Sequence, residues 1–156
     1  MNEQDKKGAA VRFPPPLIFI ICMLLGYGLH YVWPLPIMGS VILTYVGGTL
    51  VLLSLMCVFY LSRVFSRVKT NIEPWKPTSA IISTGLYAYS RNPIYVAFAI
   101  ISIGIGLMVN NGWVVMSFLP ATMAVYVVAI KKEEAYLEKM FAQEYLNYKN
   151  KVRRWF

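Results

Sequence analysis

In a chain of 156 residues, 58% of them hydrophobic and with a mean hydropathy of +0.54, the apolar surface exceeds what a soluble domain of this size buries, which excludes an ordinary water-soluble globule and points to a membrane protein. The net charge of +8 does not argue for nucleic acid, because its placement is that of a membrane protein. All fifteen Lys and Arg residues fall in segments 6–12, 63–91 and 131–154, the seven acidic residues lie in or beside the same segments, and the connections 33–38 and 110–112 carry no charge. This positive-inside pattern places both termini and the central polar loop in the cytoplasm. The natural reading is one domain over 1–156 in the inner membrane of a bacterium or archaeon.

Residues 1–12, with Lys6, Lys7 and Arg12, read as a loose polar lead. Pro14-Pro15-Pro16 stiffens the approach to a first span over 17–33, whose far end carries Tyr31 and Trp33 as interface aromatics. The basic start resembles a signal peptide, but the apolar run leads into Trp33-Pro34-Leu35-Pro36 and not into a small-residue cleavage site, so this span is expected to be retained; the carboxyl terminus shows no lipidation motif. His30, the single histidine, reads as an interfacial side chain, and Cys22 and Cys57 as core residues with no disulfide or metal partner. A second span covers 39–61, with Gly47-Gly48 near its middle suited to close helix approach.

Residues 62–93 read as a cytoplasmic loop, and from Thr70 to Tyr95 the composition changes. Pro74 and Pro77 discourage regular helix through a loop too long for a plain connector, and Gly85 permits a turn before a Tyr-rich stretch. Two apolar helices follow, 94–109 and 113–130, joined tightly by Asn110-Asn111-Gly112. The first has sixteen residues, about 24 Å of helix against a hydrocarbon core of roughly 30 Å, so this hairpin barely crosses. Ser102 and Gly106 suit helix packing, and Pro120 should kink the last span. The tail 131–154 reads as one amphipathic cytoplasmic helix, with Leu137, Met140, Phe141, Tyr145, Tyr148 and Val152 on its apolar face and Trp155 and Phe156 anchoring its end. The fold class is therefore all-α and integral to the membrane, with about four spans, the last two a tight hairpin, and a carboxyl-terminal amphipathic helix.

A hairpin returns its ends to one side, so Arg91-Asn92-Pro93-Ile94-Tyr95 and the Glu133-Glu134 pair can meet at one membrane surface. Two adjacent carboxylates where a span leaves the bilayer need a cationic or hydrogen-bonding partner. Thr84-Gly85-x-Tyr87, Arg91-Asn92-Pro93-x-Tyr95 and Glu133-Glu134-x-x-Leu137-x-x-x-Phe141-x-x-Glu144-Tyr145-x-x-Tyr148 together resemble the membrane-embedded methyltransferases, meaning the isoprenylcysteine carboxyl methyltransferases and the related phospholipid N-methyltransferases. The resemblance covers about residues 70–154; residues 1–62 add only a span pattern.

The resemblance implies a cytosol-facing S-adenosylmethionine pocket, no metal, and a lipophilic acceptor arriving from the bilayer. Carried onto matching positions, the donor-binding residues are Ser79, Ala80, Ile81, Ile82, Tyr87, Asn92, Pro93, Ile94, Tyr95 and Glu133. Two positions depart from the family pattern: Asn92 stands where the family has His, and Ala129 where the carboxyl methyltransferases have an Arg for the acceptor carboxylate, leaving Lys131 or Lys132 as nearby replacements that lack its planar fork. Glu133 suits the donor's ammonium group, and Tyr87 and Tyr95 its sulfonium. The catalytic candidates are Arg91 and Glu134. Arg91 has several open readings: the donor carboxylate, Glu134, a lipid phosphate, or snorkelling at the interface. Glu134 orients the acceptor, or takes its proton where the acceptor is an amine or thiol, or forms a structural ion pair with Arg91 or Lys131. The acceptor is a carboxylate, amine or thiol on a lipophilic body, and the reading from a different class is a non-catalytic membrane scaffold or a transporter or assembly subunit.

Overall fold

A computed structural model describes residues 8–11 and 13–155, and every described element is helical. The helices are α1 (Pro15–Val32), α2 (Val41–Val68), α3 (Pro93–Met108), α4 (Gly112–Met116), α5 (Phe118–Val125), α6 (Lys131–Phe141) and α7 (Gln143–Lys151). A 3₁₀ turn occupies Gly85–Ala88 and a π turn Tyr126–Ile130. Three helical stretches are long and apolar enough to cross a membrane: Pro15–Val32, Val41–Val68 and Gly112–Phe141. Pro93–Met108 is also apolar but, at sixteen residues, is shorter than these three. The chain divides into two compact units, and the division follows charge: residues 14–59 and 94–125 contain no Lys, Arg, Asp or Glu at all, and every charged side chain among the described residues belongs to the remainder.

The apolar unit is built from α1, α4 and α5 packed together, with α3 and the first part of α2. α1 begins two residues earlier than the apolar run, at Pro15, because proline suits a first turn whose N–H groups are unpaired anyway. Close approaches are made at glycine. A Cβ at Gly26 would lie 2.8 Å from the Trp113 carbonyl oxygen, and one at Gly104 2.7 Å from that of Gly47. Gly48 meets nothing, so only the first glycine of the pair is a packing residue. Ser102 is fully buried with its hydroxyl on the Phe98 carbonyl, and a Cβ at Gly106 would strike Val115. The two uncharged connections are sewn together: Asn110 Oδ1 accepts from the N–H groups of Ile37 and Met38, Gly112 N–H donates to the Leu35 carbonyl, and Trp113 Nε1 donates to that of Trp33. Asn111 caps α4 through the N–H groups of Trp113 and Val114. His30 Nδ1 accepts from Leu35 N–H, a structural use. Both cysteines are free and half-buried. The break expected from Pro120 falls at Ser117, three residues earlier, because proline removes the donor for the carbonyl one turn back; Ser117 bonds to Val114 instead, through both N–H and hydroxyl.

The charged unit holds the end of α2, the loop to Pro93, the π turn, α6, α7 and the segment after them. Here three expectations need correction. α2 does not stop near 61 but runs to Val68, because Ser62 to Val68 offers no Gly or Pro to end it; Lys69, at φ 56, does so. The tail is two helices and not one, broken at Ala142, whose φ of 43 and ψ of −117 lie where L-residues are strained. Ala142→Gly should therefore raise the unfolding free energy by about 1 kcal/mol, read from thermal unfolding in detergent, and an unchanged midpoint would show that the break carries no strain. Lastly, the described part of the lead is not loose. Ala9 and Val11 are buried, and Ala9 N–H donates to the Pro74 carbonyl. Lys6, Lys7, Arg12 and Phe156 lie outside the described residues.

The proline-punctuated loop is ordered by its own polar groups. Ser79 N–H donates to Thr70 Oγ1, Ser79 Oγ donates to the Lys69 carbonyl, and Asn71 Nδ2 donates to that of Pro77. The Thr78 N–H reaches the Tyr136 hydroxyl on α6.

Candidate functional site

The charged unit is closed by a clasp between the Ser90–Asn92 segment and the residues after α7. Arg91 N–H donates to the Arg153 carbonyl at 3.0 Å, and Asn92 Nδ2 and Ser90 Oγ both donate to that of Arg154. The amide of buried Asn92, at the family's His position, is thus spent on the chain's own tail. Its neighbour Pro93, also buried, opens α3.

The clasp delivers three charged side chains to one place. Glu134, on the inner face of α6, takes Arg154 side-on: Nε to Oε1 at 2.9 Å and Nη2 to Oε2 at 3.0 Å, the two-point fit of a guanidinium to a carboxylate. Arg91 Nη1 stands 3.1 Å from the same Oε1. The side chains of Arg91 and Glu134 are 9% and 12% exposed, that of Arg154 33%. Neither Nε nor Nη1 of Arg91 directs an N–H at an acceptor among the described residues, although both atoms are buried. The triad carries one net positive charge. The Arg154 guanidinium also lies 4.9 Å from the centre of the Tyr126 ring on the π turn, with Lys131 over the same ring at 5.1 Å.

Burial pushes the Glu134 pKa up, but the Arg154 hydrogen bonds and the charges of Arg91, Arg154 and Lys149 outweigh it and hold the carboxyl below its ordinary value. A carboxylate so held is a weak base, so the geometry favours the ion pair over the proton acceptor among the roles left open for Glu134. The folded pKa lies below the unfolded one, so the stabilisation is complete above the ordinary carboxylate pKa, about 4.3, and is lost as the pH falls through the folded value. Between pH 5 and pH 3 the unfolding midpoint of the wild type should fall more steeply than that of Glu134→Gln; parallel curves would contradict this.

Aromatic rings frame the cluster. Tyr145 is buried, its pKa raised by burial and the Glu134 charge and pulled back by a hydrogen bond with Arg91. Burial lifts Tyr148 above the usual phenol range, so it remains a donor, and its hydroxyl reaches the Tyr87 carbonyl at 2.8 Å. Tyr87 is half-buried with its ring edge-on to Phe65. Glu133 is half-buried on α6 beside Glu134. Of the loop candidates, Ser79 is exposed, Ala80 and Ile81 are half-buried and Ile82 is buried. Ile94 and Tyr95 belong to the apolar unit, where Tyr95 is buried. Lys131 and Lys132 are exposed, and Ala129, at the position of the family's Arg, is completely buried. Arg91 and Glu134 are brought together. Arg154, Tyr126 and the Tyr148 hydroxyl were missed; the one available signal was the want of a guanidinium at Ala129, which Arg154 supplies to the cluster from the far end of the tail. Among the described residues no group of His, Cys, Asp or Glu is arranged to hold a metal.

Long apolar helices together with a separate polar unit that buries ionised side chains define an integral membrane protein with a chemically equipped polar part. A model of the phospholipid methyltransferase family matches residues 42–144, about two thirds of the chain, and the chain belongs to that family. The match starts upstream of the resemblance read from sequence, taking in α2, and ends before Tyr145, Tyr148 and Arg154. The chain is similar to the protein-S-isoprenylcysteine O-methyltransferases of Saccharomyces cerevisiae, with 36% identity over 85 residues, 54% of this chain and 34% of the relative, and of Schizosaccharomyces pombe, with 33% over 72 residues, 46% and 30%. The aligned part thus spans about a third of the length of these curated relatives. Both are fungal, so a bacterial or archaeal setting gains nothing from them. No solved structure matches.

Proposed function

We propose that the protein transfers a methyl group from S-adenosylmethionine to a carboxylate on a lipophilic acceptor, at the cytoplasmic face of its membrane. The observation that carries this reading is the Arg91–Glu134–Arg154 cluster, with its surplus positive charge and the unspent N–H groups of Arg91. A buried cationic donor without an acceptor is costly, and a carboxylate removes that cost. The names of the fungal relatives, which act on isoprenylcysteine, favour a carboxylate over an amine or thiol, against the sequence reading, in which Ala129 in place of the family's Arg made a prenylcysteine carboxylate the less expected acceptor. Among the described residues all charged side chains belong to one unit, in keeping with a single cytoplasmic face for the loop, the tail and the site.

The residues fit such a donor: a carboxylate answers the unspent Arg91 donors, and the half-buried Glu133 carboxylate answers an ammonium. When bound, the donor supplies an electrophilic methyl group on a sulfonium. The chain's own work is positioning and desolvation. Glu133 holds the ammonium end, Arg91 receives a carboxylate, and the Tyr87 segment, fixed by the Tyr148 hydroxyl, borders the donor beside Asn92 and Pro93. Ser79 to Ile82 line the approach on the loop tied to Tyr136, and Ile94 and Tyr95 continue the motif along α3. A carboxylate acceptor is ionised at neutral pH and needs no base, which agrees with a Glu134 committed to arginine.

Calorimetric titration of the detergent-purified protein with S-adenosylhomocysteine, lipid supplied, tests the donor site. Saturable binding that falls at least tenfold in Glu133→Gln is expected. A folded wild type that binds nothing would overturn the reading in favour of a scaffold.

A further inference from the structure

Arg154 lies outside the residues that the family model matches, yet its guanidinium bonds to Glu134 and rests on Tyr126. We propose that Arg154 is a positioning residue: by occupying both oxygens of Glu134 it keeps that carboxylate from closing onto Arg91, and so holds the Arg91 fork open for a carboxylate ligand. This rests on the function proposed above and adds to it the residue that decides whether the anion site is open.

A carboxylate has two oxygens and a guanidinium presents paired N–H groups, so the most favourable partner of a buried guanidinium is a carboxylate met side-on. Glu134 is the carboxylate beside Arg91, and it is not met that way. Arg154 takes the side-on position, with contacts of 2.9 and 3.0 Å to the two oxygens, and leaves Arg91 only a 3.1 Å approach to Oε1 that is not directed along an N–H. The result is a side chain 9% exposed whose Nε and Nη1 are unspent.

Arg154 can hold this position because its backbone is fixed independently of its side chain. Its carbonyl takes Asn92 Nδ2 and Ser90 Oγ, the preceding carbonyl takes Arg91 N–H, and its guanidinium rests on the Tyr126 ring. The backbone bonds do not need the guanidinium, so removing it should leave the clasp in place. Glu134 would then lose the partner that holds both oxygens, and the Arg91 fork is the nearest other place for them. The site would close on an internal carboxylate and reject an external one.

Two sources of carboxylate are available, the amino-acid part of the methyl donor and the acid group of the acceptor, and paired probes separate them. The wild type, Arg154→Gln, Arg154→Lys and Glu134→Gln/Arg154→Gln are titrated with S-adenosylhomocysteine against 5′-methylthioadenosine, which lacks the amino-acid part. They are also titrated with an S-isoprenylated N-acetylcysteine against its methyl ester. Binding stoichiometry separates affinity from the fraction of folded protein. Arg154→Gln should lose at least tenfold in affinity for the carboxylate-bearing member of one pair and change little for its counterpart, and the pair affected names the source. Arg154→Lys, which keeps the charge but not the fork, should recover part of the loss. The double variant should regain the wild-type affinity or better, because the competing carboxylate is gone. Equal losses within each pair, no loss at all, or a double variant no better than Arg154→Gln would overturn the proposal. A wild type that binds none of the four probes would overturn the proposed function itself.

Discussion

Glu134→Ala should be the most destabilising single substitution in the charged unit, lowering the unfolding free energy by about 3–5 kcal/mol, the usual result of leaving a buried ion without its counter-charge. Arg91 is buried and cannot turn to water, so losing Glu134 leaves two guanidiniums together with no anion between them. Arg154→Ala should cost less, because Glu134 still has Arg91 and the lost side chain is one-third exposed. Thermal or denaturant unfolding in detergent, with the two variants side by side, checks the order. A Glu134→Ala midpoint close to that of the wild type would mean that the cluster is solvated and that the surplus charge attributed to it is not felt.

The second large effect belongs to the apolar unit. Gly104→Leu should cost about 3 kcal/mol or more, because its Cβ would lie 2.7 Å from the Gly47 carbonyl oxygen and 2.8 Å from Val51 Cγ2, and a backbone oxygen cannot swing aside. Gly48→Leu is the control, with nothing within 4 Å of its added carbon, and should change stability by less than about 0.5 kcal/mol. Equal effects at the two positions would show that glycine serves helix flexibility here and not close approach.

How much of this was legible depended on whether the signal was local. The long apolar helices were, because apolar runs and the grouping of charge are local properties, and the charge-free unit reproduces the intervals between the charged segments. The Asn110-Asn111-Gly112 turn was legible for the same reason, but its hydrogen bonds to residues 37 and 38 were not, since they join positions more than seventy apart. The length of α2 was misread because a fall in hydropathy ends a span without ending a helix. The break at Ala142 was hidden by residue type, alanine being the best of helix formers. In the site, the Glu133-Glu134 pair and Arg91 stood out as charges next to apolar helices, and Arg91 meets Glu134 in one of the pairings left open. Arg154 did not stand out, because one arginine in a basic tail looks like any other until a backbone clasp brings it to a carboxylate twenty residues away.

The central claim is methyl transfer to a lipophilic carboxylate. The most direct measurement is transfer of label from S-adenosyl[methyl-³H]methionine to an S-isoprenylated N-acetylcysteine by the purified protein in lipid vesicles, with the matching methyl ester and an amine-headed phospholipid as parallel acceptors. Base-labile label, as expected of a methyl ester, should form on the acid only and be lost in Glu133→Gln. Label on the amine lipid alone, or none on any acceptor from protein that binds the donor, would contradict it.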